Sequence, residues 1–250
     1  MTGLVVHKLT VMRAGRPILD DVSFTCPGQG LVGLLGPNGA GKSTLARLLA
    51  GQPEAHAGAI RIGEEDVTAL AAARRAAMIG YMPQAFTPHW DISPRMLVEM
   101  GAARRPDLPP GIVRSALSEA GLDGHGDRLW STLSGGEKAR ALFAAVTVAD
   151  PAVLVVDEPG ASLDIGHRIR LMGRLAARGR TRLVVAVLHD IELATAWCDR
   201  LLVMDEGRLV AVDTAGAVVR SGVLATVFGV AFETMVSGGV TIARPVCGRD

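Results

Sequence analysis

The sequence predicts an α/β fold: a core of buried parallel strands, an antiparallel β region at the N-terminal end and an inserted α-helical subdomain. Three observations carry this expectation. Two nearly continuous apolar runs, residues 153–156 and 183–188, are separated by a helical pattern over 165–178, the signature of strands buried on both faces. A third apolar run, 31–35, leads through Gly36, Pro37, Asn38, Gly39, Ala40, Gly41, Lys42, Ser43 and Thr44 into an apolar-periodic helix over 45–50, closed by Gly51. Between about Gln84 and Ala149 the β signal disappears and helical periodicity replaces it.

In chain order, residues 3–35 alternate short β-like runs (4–6, 22–26, 31–35) with turns at Ala14-Gly15 and Pro27-Gly28. Further strands are expected at 60–62 and 78–82, flanking a helix rich in alanine and arginine. The helical interval carries patterns at 96–103, 112–120 and 137–148, with a proline-rich loop at 105–111. After the two buried strands, 201–204 and 209–212 read as a hairpin split by Asp205-Glu206-Gly207. The tail carries a short helix over 223–228 and a strand over 240–243. The chain is expected to be one domain over 1–250. Within it we expect a helical subdomain over roughly 85–149 and a C-terminal accessory segment over roughly 213–250.

Bulk composition narrows the function. Net charge of +1 gives no electrostatic argument for nucleic acid. Although 49% of residues are hydrophobic, no uninterrupted apolar run approaches the ~20 residues that span a bilayer. The N-terminus lacks the pattern of a secretory signal, so a cytosolic location is expected, with any membrane association through a partner. Cys26, Cys198 and Cys247 are too few and too widely spaced for a disulfide framework or a zinc site, and are expected to be small packed side chains.

The segment from Gly36 to Thr44 satisfies G-x-x-x-x-G-K-[ST] in the strand-to-helix context that pattern requires. Glycines at 36, 39 and 41 permit turns in which successive N–H groups point into one concavity and hold phosphate oxygens. The following helix N-terminus adds favourable partial positive charge. Lys42 would reach the β- and γ-phosphates, and the Ser43 hydroxyl would coordinate Mg²⁺. Asp157 and Glu158 end an apolar strand, where ligands sit in open α/β sheets. Asp157 is expected to hold Mg²⁺ and Glu158 to orient or polarise the attacking water. His189 follows another such strand and is expected on the same rim, within reach of the γ-phosphate and the water. Ser134, Gly135 and Gly136 precede a helix and form a second N-terminus that attracts anions. Facing the ATP of another subunit, it would make hydrolysis depend on dimerisation.

The succession of Gly36 to Thr44, Gln84, Leu133-Ser134-Gly135-Gly136-Glu137, Val153 to Glu158, Ala161-Ser-Leu-Asp164 and His189 resembles the nucleotide-binding subunits of ATP-binding-cassette (ABC) transporters over nearly the whole chain. The resemblance implies a P-loop ATPase core. It assigns Gly36 to Thr44 as Walker A, Gln84 as the Q-loop glutamine and Leu133 to Glu137 as the signature, with Ser134, Gly135, Gly136 and Glu137 as its nucleotide-binding residues. Val153 to Glu158 would be Walker B, Asp164 would close the D-loop and His189 would be the switch histidine. It also implies two subunits that sandwich ATP head to tail, transmembrane permease partners at the cytoplasmic face of the membrane and, indirectly, a substrate-binding protein. Gln84 would link Mg²⁺ to the permease interface. Phe86, Trp90, Met96 and Leu97 are read either as part of that docking surface or as filling of the subdomain core. His56, His89, His125 and His167 match no motif and are taken as surface or structural residues.

Finer likeness, in Val187-Leu-His-Asp-Ile-Glu-Leu-Ala194, Cys198-Asp-Arg-Leu-Leu-Val-Met204 and Leu224-Ala-Thr-Val-Phe-Gly-Val230, resembles ATPases of iron-siderophore, haem and cobalamin importers. The stretch from Pro83 to Asp91 is also similar to zinc and manganese importer ATPases, and an exporter ATPase or a degenerate ATP-binding module are the other readings. Three positions depart from the family pattern. Met12, Arg13 and Ala14 stand where an aromatic residue normally stacks on adenine, so stacking is either weaker or supplied by Arg13. Glu137-Lys138-Ala139-Arg140 closes the signature where glutamine and arginine are usual. Gly160 stands where threonine commonly follows the D-E-P.

Overall fold

The computed structural model describes residues 3–159 and 164–246; Gly160, the first three residues of Ala161-Ser-Leu-Asp164, and Cys247 lie outside the described residues. Strands β1 (Leu4–Arg13) and β2 (Arg16–Cys26) form a hairpin across Ala14-Gly15, both at positive φ (48° and 76°), the geometry that matches strand twist in a two-residue loop. Both strands are longer than their apolar runs suggest, because the irregular pairing between Val6 and Leu9 breaks the alternation that would reveal them. Strand β4 (Ala57–Ile62) pairs with β1, and a two-residue β5 (Glu65–Asp66), not expected from sequence, pairs with β4. The antiparallel order is β2-β1-β4-β5.

The central sheet contains β3 (Gly30–Leu35), β6 (Ile79–Met82), β7 (Val153–Asp157), β8 (Leu183–Val187), β9 (Arg200–Asp205) and β10 (Arg208–Thr214), in the order β10-β9-β3-β8-β7-β6. All neighbours are parallel except the β9–β10 hairpin. Every residue of β7 and β8 is buried, so their apolar runs are unbroken. Alternate residues serve different cores. Val32, Leu34, Val155 and Val185 pack with the antiparallel sheet and with helix α1 (Lys42–Leu49), whereas Leu31, Leu35, Leu154 and Val184 pack with helices on the opposite face.

Helix α2 (Ala72–Met78) runs directly into β6, so Met78 ends the helix instead of opening the strand. The interval expected to be helical contains α3 (Pro94–Ala102), α4 (Ile112–Glu119), a 3₁₀ turn (Trp130–Thr132) and α5 (Gly135–Thr147). Ser93 caps α3 through a bond from the Met96 N–H (3.3 Å), with Pro94 at the first helical position. The chain crosses α5 closely at Gly101, where a Cβ would lie 2.1 Å from the Ala145 carbonyl oxygen. Leu97, Val98, Leu117 and Leu142 share one core with Leu154 and Val156 of the sheet.

Helix α6 (Ile165–Gly179) joins β7 to β8, followed by α7 (Ile191–Trp197), α8 (Ala215–Arg220) and α9 (Val223–Phe228). The tail closes as a hairpin of β11 (Phe232–Ser237) and β12 (Val240–Pro245), tethered where the Ala243 N–H donates to Thr195 Oγ1 at 3.1 Å. Strand β11 was not expected, because its residues are largely exposed and show no alternation. Among the described residues no helix is long and apolar enough to cross a membrane.

Candidate active site

The segment from Gly36 to Gly41 leaves β3 and caps α1. Gly41 occupies the left-handed region (φ 94°), and a Cβ there would stand 2.6 Å from the Ile18 carbonyl oxygen, so both conformation and space exclude a side chain. No side chain caps α1, which leaves its first-turn N–H groups to the loop concavity. Lys42 is only 6% exposed, and its Nζ donates to the carbonyls of Gly36 and Pro37 at 2.8 Å each. Burial lowers its pKa, partly offset by the charges of Glu158 and Asp157.

Because β3, β8, β7 and β6 are adjacent and parallel, their carboxyl ends share one rim. Leu34, Val187 and Asp157 occupy a single register row. Asp157, 4% exposed, accepts from Ser43 Oγ at 3.2 Å and from the Tyr81 hydroxyl at 3.4 Å. Desolvation raises its pKa against the Ser43 bond, and the Glu158 charge raises it further. Tyr81 is pushed up to about 12 by burial and then by the Asp157 charge, so its phenol stays a donor. Glu158 sits in the left-handed region (φ 50°), unusual for a residue with a Cβ, with its N–H on the Val187 carbonyl at 3.2 Å. One carboxylate oxygen of Glu158 accepts from Gln84 Nε2 and the other meets His189 Nε2. Ser43, Gln84, the Asp157-Glu158 pair and His189, drawn from four separate stretches of the chain, therefore form one cluster, with Lys42 beside Ser43 and feeling the charge of both carboxylates.

Ser134 and Glu137 form a capping box at the start of α5. The Glu137 carboxylate accepts from the Ser134 N–H at 2.7 Å, and the Glu137 N–H donates to Ser134 Oγ at 3.3 Å. The Ser134 bonds, backbone first, hold the Glu137 carboxyl below its ordinary range, helped by Arg128 and His125. Among the described residues no hydrogen bond or ion pair joins this segment to Gly36 to Thr44 of the same chain. The Asp164 carboxylate caps α6, accepting from the His167 N–H at 2.8 Å and contacting His167 Nδ1 at 2.7 Å. Arg13 is paired with Glu54 at the surface. The apolar residues after Gln84 divide: Trp90 (78% exposed) and Met96 (51%) face out, Leu97 (6%) is core, and Phe86 packs edge-on against Trp130 at 5.5 Å.

Tyr81, which anchors Asp157, escaped sequence reasoning. The available signal was its place near the end of the strand expected at 78–82, three residues before Gln84. His125 and His167 are structural in a specific sense: the first flanks Glu137 and the second packs against Gly136.

Residues 19–161 match the family model described as ABC transporter. The chain is 36% identical over 246 residues to the hemin import ATP-binding protein HmuV of Bordetella pertussis, covering 93% of this chain and 94% of that one. It is 38% identical over 245 residues to the cobalamin import ATP-binding protein BtuD of Halobacterium salinarum, covering 94% of this chain but 60% of that longer protein. Among solved structures, a nucleotide-free ATP-binding cassette from an ABC transporter superposes with a TM-score of 0.79 at 21% identity, covering 91% of this chain and 98% of the other. A transporter described as of the metal-chelate type, in an inward-facing conformation, does so with 0.81 at 21% identity, covering 99% and 98%. At these identities the two structures establish the fold, and the sequence match establishes the family: the chain belongs to the ABC transporter family as an ATP-binding, ATP-hydrolysing subunit.

Proposed function

We propose that this subunit powers import of a metal chelate, of the haem, cobalamin or iron-siderophore class, at the cytoplasmic face of a membrane. In this reading it works as a head-to-tail dimer over ATP and Mg²⁺, docked on permease subunits that receive cargo from a substrate-binding protein. The observation that carries the catalytic part is the Glu158 carboxylate held between Gln84 and His189 beside the Ser43–Asp157 pair. The cargo class rests on the two importer relatives, each about one third identical over nearly the whole of this chain.

The residues fit the ligands. Lys42 is a buried ammonium whose hydrogen-bond partners are loop carbonyls, suited to β- and γ-phosphate oxygens. Ser43 and Asp157 present oxygens to one point, and Asp157 is a desolvated carboxylate, the donor chemistry a hard divalent cation takes. Mg²⁺ bound there would neutralise developing charge on the phosphates. Gly36, Pro37, Asn38, Gly39, Ala40, Gly41 and Thr44 would line the phosphate concavity. Glu158 would take a proton from the water that attacks the γ-phosphorus in line, breaking the β–γ phosphoanhydride. His189 would hold that carboxylate and the γ-phosphate, and Gln84 would carry the state of the site toward the permease. Ser134, Gly135 and Gly136 would present N–H groups to the partner's phosphates, with Glu137 engaged in fixing that turn. Asp164, committed to its helix cap, would set where the D-loop enters α6. Arg13 would stack on adenine after leaving Glu54. We further divide the single domain into a helical subdomain over roughly 85–149, where Trp90 and Met96 offer apolar surface to a permease helix, and an accessory segment over roughly 213–250.

Reconstitution in vesicles with the permease encoded beside it tests the cargo class. ATPase should rise with binding protein loaded with an iron or cobalt chelate. Stimulation by a sugar- or amino-acid-loaded protein instead would refute the cargo class and leave the ATPase standing.

A further inference from the structure

Helices α5 and α6 and the end of α4 border a cleft of about 350 Å³ away from the rim cluster. His167, Arg170 and Arg174 are spaced three and four residues apart on α6, so they share one face of that helix, and Arg140 lies across from them on α5. Phe143 and Leu171 supply an apolar wall. Among the described residues none of the three arginines has an ion-pair partner. The Arg140 Nε is buried without a hydrogen bond, and Arg174 donates one side-chain bond, at 3.3 Å, to the Glu119 carbonyl. Burial, then the charges of Arg140 and Arg170, hold the Arg174 guanidinium below its ordinary pKa. The adjacent carboxylate, Asp164, is hydrogen-bonded to His167 and the cap of α6 and feels the charge of Arg170, which leaves Arg140 and Arg174 as the guanidiniums without a facing carboxylate among the described residues.

Guanidinium groups gathered at one cleft repel one another, and taking Arg140 and Arg174 partly out of water without a counter-charge leaves donors unmet. A ligand with several anionic oxygens would satisfy them through charge-assisted bonds, and an apolar body would cover Phe143 and Leu171. We propose that this cleft is a binding site for a small organic polyanion with an apolar body. The assignment does not depend on the cargo or on the roles of Lys42, Asp157, Glu158 and His189, none of which lines the cleft. The cleft also contains Gly136, where a Cβ would stand 2.8 Å from His167 Nε2, so an occupant would brace the first turn of α5 against α6.

The test is calorimetric titration of the full chain carrying Lys42→Ala, which removes the main phosphate-seeking cation, with benzene-1,3,5-tricarboxylate as probe. Saturable binding is expected, weaker for citrate, which lacks the apolar body, and weaker again for benzoate, which has one charge. Arg174→Gln and Arg140→Gln should each weaken the tricarboxylate by about tenfold or more. Absence of saturable binding, or equal affinity in both variants with unchanged melting, overturns the site. If those variants fold poorly, Arg170→Glu decides: reversing this exposed charge must weaken the probe severalfold, and unchanged affinity overturns the site.

Discussion

His189 Nε2 meets Glu158 Oε1 although the two residues follow different strands, β8 and β7, with 30 positions between them in the chain. The contact exists because Asp157 and Val187 share a register row and the strands are parallel, so both chains leave the sheet at the same level. Glu158→Gln keeps the shape of this site and removes the group that takes the proton. ATP binding should persist while phosphate release falls by about 10²–10⁴-fold, the usual scale of a general base. Gel filtration of this variant with Mg-ATP should show a dimer; a monomer, with the parent hydrolysing normally, would sink the sandwich arrangement.

Arg13 is paired with Glu54, which gives the adenine proposal two opposed variants. Arg13→Ala should weaken ATP binding by a cation–π contribution of about 0.5–2 kcal/mol. Glu54→Ala should tighten it by no more than an exposed ion pair is worth, about 1 kcal/mol at most. Unchanged ATP affinity in Arg13→Ala would restrict Arg13 to its ion pair.

Gly101→Ala reverses an ordinary rule. In an open helix the change stabilises by about 0.8–1 kcal/mol. Here the added Cβ would lie 2.1 Å from the Ala145 carbonyl oxygen of α5, so backbone must move, and a net loss of about 1–3 kcal/mol is expected in urea unfolding. A stabilised variant would show that α3 does not cross α5 this closely.

Glu137 has a depressed pKa in the folded chain, so its charge contributes stability above the ordinary value of 4.5, lost as pH falls through the lower folded value. Glu137→Gln can still cap α5 but carries no charge. The parent should therefore melt higher than the variant at neutral pH, and the gap should close in acid below the folded pKa. An equal gap at both pH values would place the contribution in packing instead of charge.

Much of this protein was legible in its sequence because the relevant signals are local. The turn to α1 needs Gly41 at a conformation that a Cβ resists, and the unbroken apolar runs of β7 and β8 follow from burial on both faces. The ends of those runs point to Asp157, Glu158 and His189 as residues of one rim. Strand order was not legible, because pairing is decided between residues remote in the chain: β8, made after β7, inserts between β7 and β3, and this brings His189 onto Glu158. The same limit hid Tyr81, whose partner lies on a neighbouring strand, and β11, whose exposed residues carry no alternation. Met96 and Leu97 are adjacent and similarly apolar, yet one faces water and the other fills the core. Only the packing of α3 against the rest of the molecule separates them, since consecutive residues on a helix point about 100° apart and composition does not say which direction is inward.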